Sequence, residues 1–251
     1  MRTHTNPLFL IAFLLFSFLS PILQAGPLPK TNIHKALAEP NVSGAGLPAD
    51  RFKEEVSALY DQIDLKEIGL NKKAFEFAYK GYLYLLHRHL VSRKDVLSIC
   101  DFSQSSRKKR LYVLDMEQKK VLMNTYVAHG RKSGGEYARS FSNNPKSHKS
   151  SLGFYITGET YYGDHGLSLK IKGLERGFND KALRRNIVVH GSRYVGSDFL
   201  DWNEFNGRSF GCPALPYEES EEVIETIKNG TCLFIYHPTK KYITKSKILN
   251  G

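Results

Sequence analysis

The sequence predicts a mainly β (α+β) fold: an antiparallel β-sandwich or barrel-like sheet with N-terminal helices and one helix after Cys212. Three observations predict it. Apolar and aromatic residues recur at helical spacing before residue 92, in Phe75, Tyr79, Tyr82, Leu83, Leu86 and Leu90. After Ser92 the pattern changes to short β-type runs separated by turn residues. A single helical stretch then spans about Tyr217 to Lys228, opened by Pro216 and closed by Asn229-Gly230.

In chain order, Arg2 precedes the apolar run Leu8 to Leu19, and Leu23-Gln24-Ala25 precedes Gly26, the layout of a secretory signal peptide over 1–25. That run is too short for a comfortable bilayer span, so no membrane span is expected once the signal is removed. Residues 26–50, rich in Pro, Gly, Ala and Asn, read as a flexible leader. Residues 51–92 read as a helical segment, with helices over Arg51 to Tyr60 and Lys72 to Leu90. His87 and His89 lie two apart on the second helix and face different directions, which disfavours a shared metal.

The β runs are Val96–Phe102, Arg110–Leu114, Val121–Val127, Gly153–Thr157, Leu167–Ile171, Asn186–His190 and Cys232–Tyr236, within a domain of 93–238. Asp115 to Lys120 reads as a hairpin loop, and 239–251 as a C-terminal tail. The Gly- and Ser-rich stretch from His129 to Leu152 is longer than a simple connection needs, so a lid or substrate-recognition role competes with that of a plain surface loop.

The formal charge is +11, and removing Arg2 with the signal leaves +10. Such a charge favours an anionic partner. Export argues against nucleic acid, and the basic residues are scattered rather than clustered. An acidic polymer outside the cytoplasm, such as cell-wall glycan carrying free carboxylates, fits both sign and compartment.

Three cysteines in an exported chain leave at least one unpaired. Cys100 and Cys232 sit in apolar runs as inert buried thiols or a disulfide. Cys212 lies between Gly211 and Pro213, which shape a tight backbone rather than a ladder. A thiol is mostly protonated at neutral pH, so acyl transfer needs an imidazole to make thiolate and later protonate the leaving amine. His190, at the end of a β run, suits that role. Gly191 lets the chain turn so that a main-chain carbonyl can hold one ring nitrogen. The N–H groups around 211 and 212 could form an oxyanion hole, with Ser209 bolstering the turn.

These residues, in the order His190, Ser209, Gly211, Cys212, resemble the murein L,D-transpeptidases with the YkuD-type catalytic domain, whose signature is a His followed at a distance by Ser/Thr-x-Gly-Cys. The stretches YVAHGRKSG (126–134), SLGFYITGETY (151–161), HGLSLKIKGLE (165–175) and GRSFGCPALP (207–216) are similar to a divergent branch of that family, over about 93–238. Phe210 stands where many members carry a second His, Pro213 where Arg or an apolar residue is commoner, and the spacing from His190 to Ser209 is slightly long.

The resemblance implies that Cys212 attacks the carbonyl of the third, L-configured residue of a tetrapeptide stem and releases D-alanine. The thioester then passes to an amine of a neighbouring stem. Resolution by water would make the protein an L,D-carboxypeptidase, and a non-catalytic wall-binding role is a third reading. Peptidoglycan stem peptides are the expected partner, no metal or cofactor is expected, and the location would be periplasmic or cell-wall associated. Arg193, Tyr194 and Arg208 flank the catalytic pair and could hold stem carboxylates through planar guanidinium or hydroxyl contacts. His129 and His165 could line the groove.

Overall fold

The computed structural model describes residues 49–251, so the expected signal peptide and almost all of the expected leader lie outside the described residues. Helix α1, Ala49–Gln62, turns Val56, Leu59 and Tyr60 inward. Helix α2, Lys72–His87, is started by Asn71, whose side chain accepts from the backbone N–H of Lys73 and Ala74 and so satisfies two of the donors left free at a helix start. Its buried face is Ala74, Phe75, Ala78, Tyr79, Tyr82, Leu83 and Leu85.

Eight strands follow: β1 Val96–Asp101, β2 Leu111–Asp115, β3 Lys120–Thr125, β4 Gly153–Gly163, β5 Gly166–Gly173, β6 Val188–Ser192, β7 Ala214–Pro216 and β8 Cys232–Tyr236. They form one sheet in the order β3-β2-β1-β8-β4-β5-β6-β7. The mainly β fold is therefore present, as a mixed and unclosed sheet. The pairs β1 with β8 and β6 with β7 run parallel, and the other neighbours antiparallel. Strands β1, β2 and β8 are buried at every residue, which explains their largely apolar sequences.

Helix α2 packs on β1 and β8, while helix α4, Tyr217–Ile227, packs on β5, β6 and β7. A further short helix, α3, spans Ser197–Leu200. The expected tail is helical, as α5 Lys240–Lys245 and α6 Lys247–Asn250, and Tyr242, Ile248 and Leu249 belong to the same core as the sheet. Phe154 and Phe234 stack across β4 and β8 with ring centres 4.1 Å apart. Each such buried ring contributes on the order of 2 kcal/mol by leaving water.

Strand β4 runs six residues beyond its expected end because its outer half carries exposed polar and aromatic residues that leave no apolar alternation. That half and β5 make a projecting hairpin with Asp164 and His165 at its turn. Cys100 and Cys232 are both free. The β1–β8 register pairs Cys232 with Leu97 and Cys100 with Ile235, so the two lie three residues, roughly 10 Å, apart along the ladder, beyond disulfide reach.

Candidate active site

Strand β6 carries His190 and pairs in parallel with β7, where Ala214 faces His190. Cys212 precedes β7 by two residues, so the sheet edge brings its thiol and the imidazole into one region. Both line one cavity of about 600 Å³. Its other walls include the β4–β5 hairpin tip, Tyr194, Arg208 and Phe210.

His190 is buried, and its Nδ1 lies 2.9 Å from the Gly191 carbonyl oxygen. A carbonyl only accepts, so Nδ1 is the protonated nitrogen and Nε2 keeps its lone pair. Burial holds the ring below the usual imidazole range; the Gly191 bond opposes this and His165 adds to it. The His165 ring stacks on His190 with centres 4.3 Å apart. At neutral pH His190 is thus a neutral base with one free nitrogen. A side chain on Gly191 would meet Ser220 Oγ at 2.4 Å, so only glycine lets α4 approach β6 this closely.

The Cys212 thiol is half-buried, and burial raises its proton affinity. The Val188 N–H, 3.5 Å from Sγ, and the Arg185 guanidinium act the other way, favouring thiolate. The thiol itself points at the Asn186 carbonyl, 3.6 Å away. Among the described residues no hydrogen bond joins Sγ to the His190 ring. The resting thiol is therefore protonated and needs a base.

Ser209 closes the turn at Cys212: its hydroxyl donates to the Cys212 carbonyl at 2.6 Å and accepts from the Gly211 N–H at 3.0 Å. The second bond corrects one expectation. Because the Gly211 N–H is already bonded to Ser209, it is not a free oxyanion donor, and the Cys212 N–H remains. Gly211 has φ +129°, and a Cβ there would lie 2.8 Å from the Lys149 carbonyl oxygen, so glycine is needed for backbone shape and clearance.

Of the expected substrate contacts, Tyr194, Arg208 and His165 line the cavity. Arg193 does not; its guanidinium lies over the Tyr217 ring at 5.6 Å. His129 is also corrected. It is completely buried, with Nδ1 accepting from Arg110 at 2.8 Å and its ring edge-on to Phe102, so it cannot touch a substrate. The apolar residues around it in sequence, Val127 and Ala128, pull it into the core. Its backbone still matters, since the Ser209 N–H donates to the His129 carbonyl.

Sequence reasoning missed Arg185. It ends a 3₁₀ turn, Leu183–Arg185, and precedes Asn186, whose left-handed conformation (φ 53°) redirects the chain into β6. The guanidinium donates to the carbonyls of Ser142 and Lys149 and the hydroxyls of Ser147 and Ser151. It thereby ties the 142–151 stretch beneath the Cys212 turn, where Ser150 also donates to the Gly211 carbonyl at 3.1 Å. This part of the long loop is a support for Cys212 rather than a free lid. The only sequence signal was an Asn suited to the left-handed region at the start of a β run.

Phe210, exposed at the rim, lies between the Arg131 guanidinium, 4.5 Å from the ring centre, and the His148 ring at 4.6 Å. A cation and an aromatic edge thus fix it beside the thiol.

A family model described as the L,D-transpeptidase catalytic domain matches residues 66–236. Among solved structures, an L,D-transpeptidase from Mycobacterium smegmatis is 12% identical with a TM-score of 0.35, covering 57% of this chain and 59% of that one. L,D-transpeptidase 3 from Mycobacterium tuberculosis is 13% identical with a TM-score of 0.36, covering 57% and 61%. The helical cell shape determining protein Pgp2 from Campylobacter jejuni is 16% identical with a TM-score of 0.38, covering 63% and 56%. The chain thus spans less than two thirds of these proteins' own lengths. No curated protein matches.

Proposed function

Because the chain belongs to the L,D-transpeptidase catalytic-domain family, we propose that it remodels peptidoglycan outside the cytoplasm by acyl transfer through Cys212. The observation that carries this reading is one cavity presenting both the Cys212 thiol and a neutral His190 whose Nδ1 is held by the Gly191 carbonyl. Among the described residues no helix is long and apolar enough to cross a membrane.

In the proposed reaction His190 Nε2 takes the Cys212 proton as Sγ attacks the carbonyl of the third stem residue. The Cys212 N–H supports the developing oxyanion. As the tetrahedral intermediate collapses, the imidazolium returns its proton to the amine of the departing D-alanine, leaving a thioester. An acceptor amine on a second stem then attacks the thioester, His190 takes the amine's proton, and the thiol leaves. Arg208 and Tyr194, on the cavity wall, suit the carboxylates and amides of the stem.

The test is incubation with purified disaccharide tetrapeptide. Wild-type protein should release D-alanine and form a cross-linked dimer, and Cys212→Ala should do neither. Equal D-alanine release by both would remove Cys212 from the reaction, and release without dimer would make the protein a carboxypeptidase.

A further inference from the structure

Between Tyr194 and Arg208 the chain inserts a loop that the reaction above does not use. Its ends are pinned together: the Gly207 N–H donates to the Tyr194 carbonyl at 2.7 Å, and the Gly196 N–H to Asn206 Oδ1 at 2.8 Å. Asn206 is fully buried and donates to the Ser106 carbonyl, and Arg107 donates to the Glu204 carbonyl. Within the loop, α3 and the bond from Asn203 to the Phe199 carbonyl at 2.8 Å fix its crest. The loop is therefore a rigid platform.

At that crest stands Trp202, the single tryptophan of the chain, 90% exposed. An exposed indole on a tied backbone presents a large flat apolar surface, which is what an aromatic binding anchor needs. Around it Asp201, Asn203 and Glu204 are all exposed, and among the described residues no ion pair engages Asp198, Asp201 or Glu204. A groove of about 460 Å³ runs beside the crest, lined by Phe199, Asn203, Phe205, Arg131 and Arg208. Arg208 also lines the thiol cavity, so the two hollows adjoin.

We infer that the Trp202 loop binds the sugar backbone of the substrate, a neutral N-acetylated hexosamine chain, and presents its attached peptide to the adjoining thiol cavity. The chemistry selects this occupant. Residues 197–206 carry three carboxylates and no cation in a chain of formal charge +11, so the crest around Trp202 disfavours anionic lipids, nucleic acid and acidic polymers, while Arg131 and Arg208 line the groove beside it. A pyranose ring offers an axial C–H face that stacks on indole, and its hydroxyls donate to carboxylates and the Asn203 amide. The second hollow is needed because a stem peptide held in the thiol cavity leaves its sugar outside it.

The inference rests on the proposed peptidoglycan reading for the identity of the substrate, but its test involves no reaction. Trp202 is its own reporter: titration with the peptide-free tetramer of N-acetylglucosamine should change indole emission saturably, with a blue shift and a Kd of about 1 mM or tighter. Trp202→Ala should elute at least about tenfold more readily than wild type from immobilised chitin, the neutral polymer of N-acetylglucosamine. Alkylation of Cys212 should keep its wild-type rate in that variant, showing an intact fold. Unchanged emission with the tetramer, equal retention of Trp202→Ala, or an emission shift seen only with phospholipid vesicles would each overturn it. If glycan binds but D-alanine is not released, the catalytic reading fails alone.

Discussion

Replacing Ser209 with alanine removes a hydroxyl that is 5% exposed and bridges two backbone groups, the Gly211 N–H and the Cys212 carbonyl. Leaving a buried donor or acceptor without its partner costs about 1–3 kcal/mol. Two are orphaned here, and because the turn borders the cavity, water can partly replace the lost bonds. The lower end applies to each, giving about 2 kcal/mol in all. For a domain of this size that corresponds to a fall in Tm of roughly 4–8 °C. The turn loosens at the nucleophile, so the Gly211 N–H swings free and the Cys212 N–H loses its aim. Differential scanning calorimetry would read the first effect, and the acyl-enzyme formation rate the second, with a drop of at least about tenfold expected. A Tm within 1 °C of wild type, together with an unchanged acylation rate, would show that the Ser209 bridge contributes nothing.

Arg185→Gln removes the cation that favours the thiolate, so the pH profile of Cys212 alkylation by iodoacetamide should move to higher pH; an unmoved profile would exclude Arg185 as an electrostatic partner. Gly191→Ala should cost about 1–3 kcal/mol, since its Cβ would sit 2.4 Å from Ser220 Oγ and force α4 off β6, and urea midpoints would measure it. His129 gives a pH prediction: burial, aided by Arg110, pushes its pKa from 6.5 down to about 3. The folded value is the depressed one, so the associated stability is complete above about pH 6.5 and drains away as pH falls toward 3. The slope approaches 1.4 kcal/mol per pH unit for one proton. In His129→Gln, whose amide oxygen can still accept from Arg110, urea stability between pH 6 and 4 should fall less steeply; an identical slope would mean another group is responsible.

The sequence made visible those elements whose burial imposes a period. Strand β8, buried at all five residues, was readable at both ends from its apolar run, and α4 from Pro216 and Asn229-Gly230. The parallel pairing of β1 with β8 was not readable, because antiparallel and parallel strands share the same run of apolar residues when both faces are covered. Strand β7, three residues long, carries too little pattern to register. The outer half of β4 escaped because its neighbours are solvent and one partner strand, which impose no apolar alternation.

At the site, His190 and Cys212 are singled out by residue type and by the family resemblance, and both line one cavity. The roles of the surroundings did not follow. Arg185 stood out only as one more scattered cation, although its guanidinium spans four oxygens of a loop some 40 residues earlier. His129 was drawn to the groove by its neighbours in sequence, whereas its side chain faces the opposite way, into Phe102 and Arg110. Side-chain direction at an irregular backbone is set by tertiary contacts that no local pattern records.

The most direct measurement is intact mass spectrometry, with peptide mapping, of protein mixed with disaccharide tetrapeptide and quenched in acid within seconds. The account predicts an adduct of the donor less D-alanine, mapped to Cys212, sensitive to hydroxylamine and formed at least about a hundredfold more slowly in His190→Ala. An adduct on any other residue, or equal rates with and without the His190 imidazole, would contradict it.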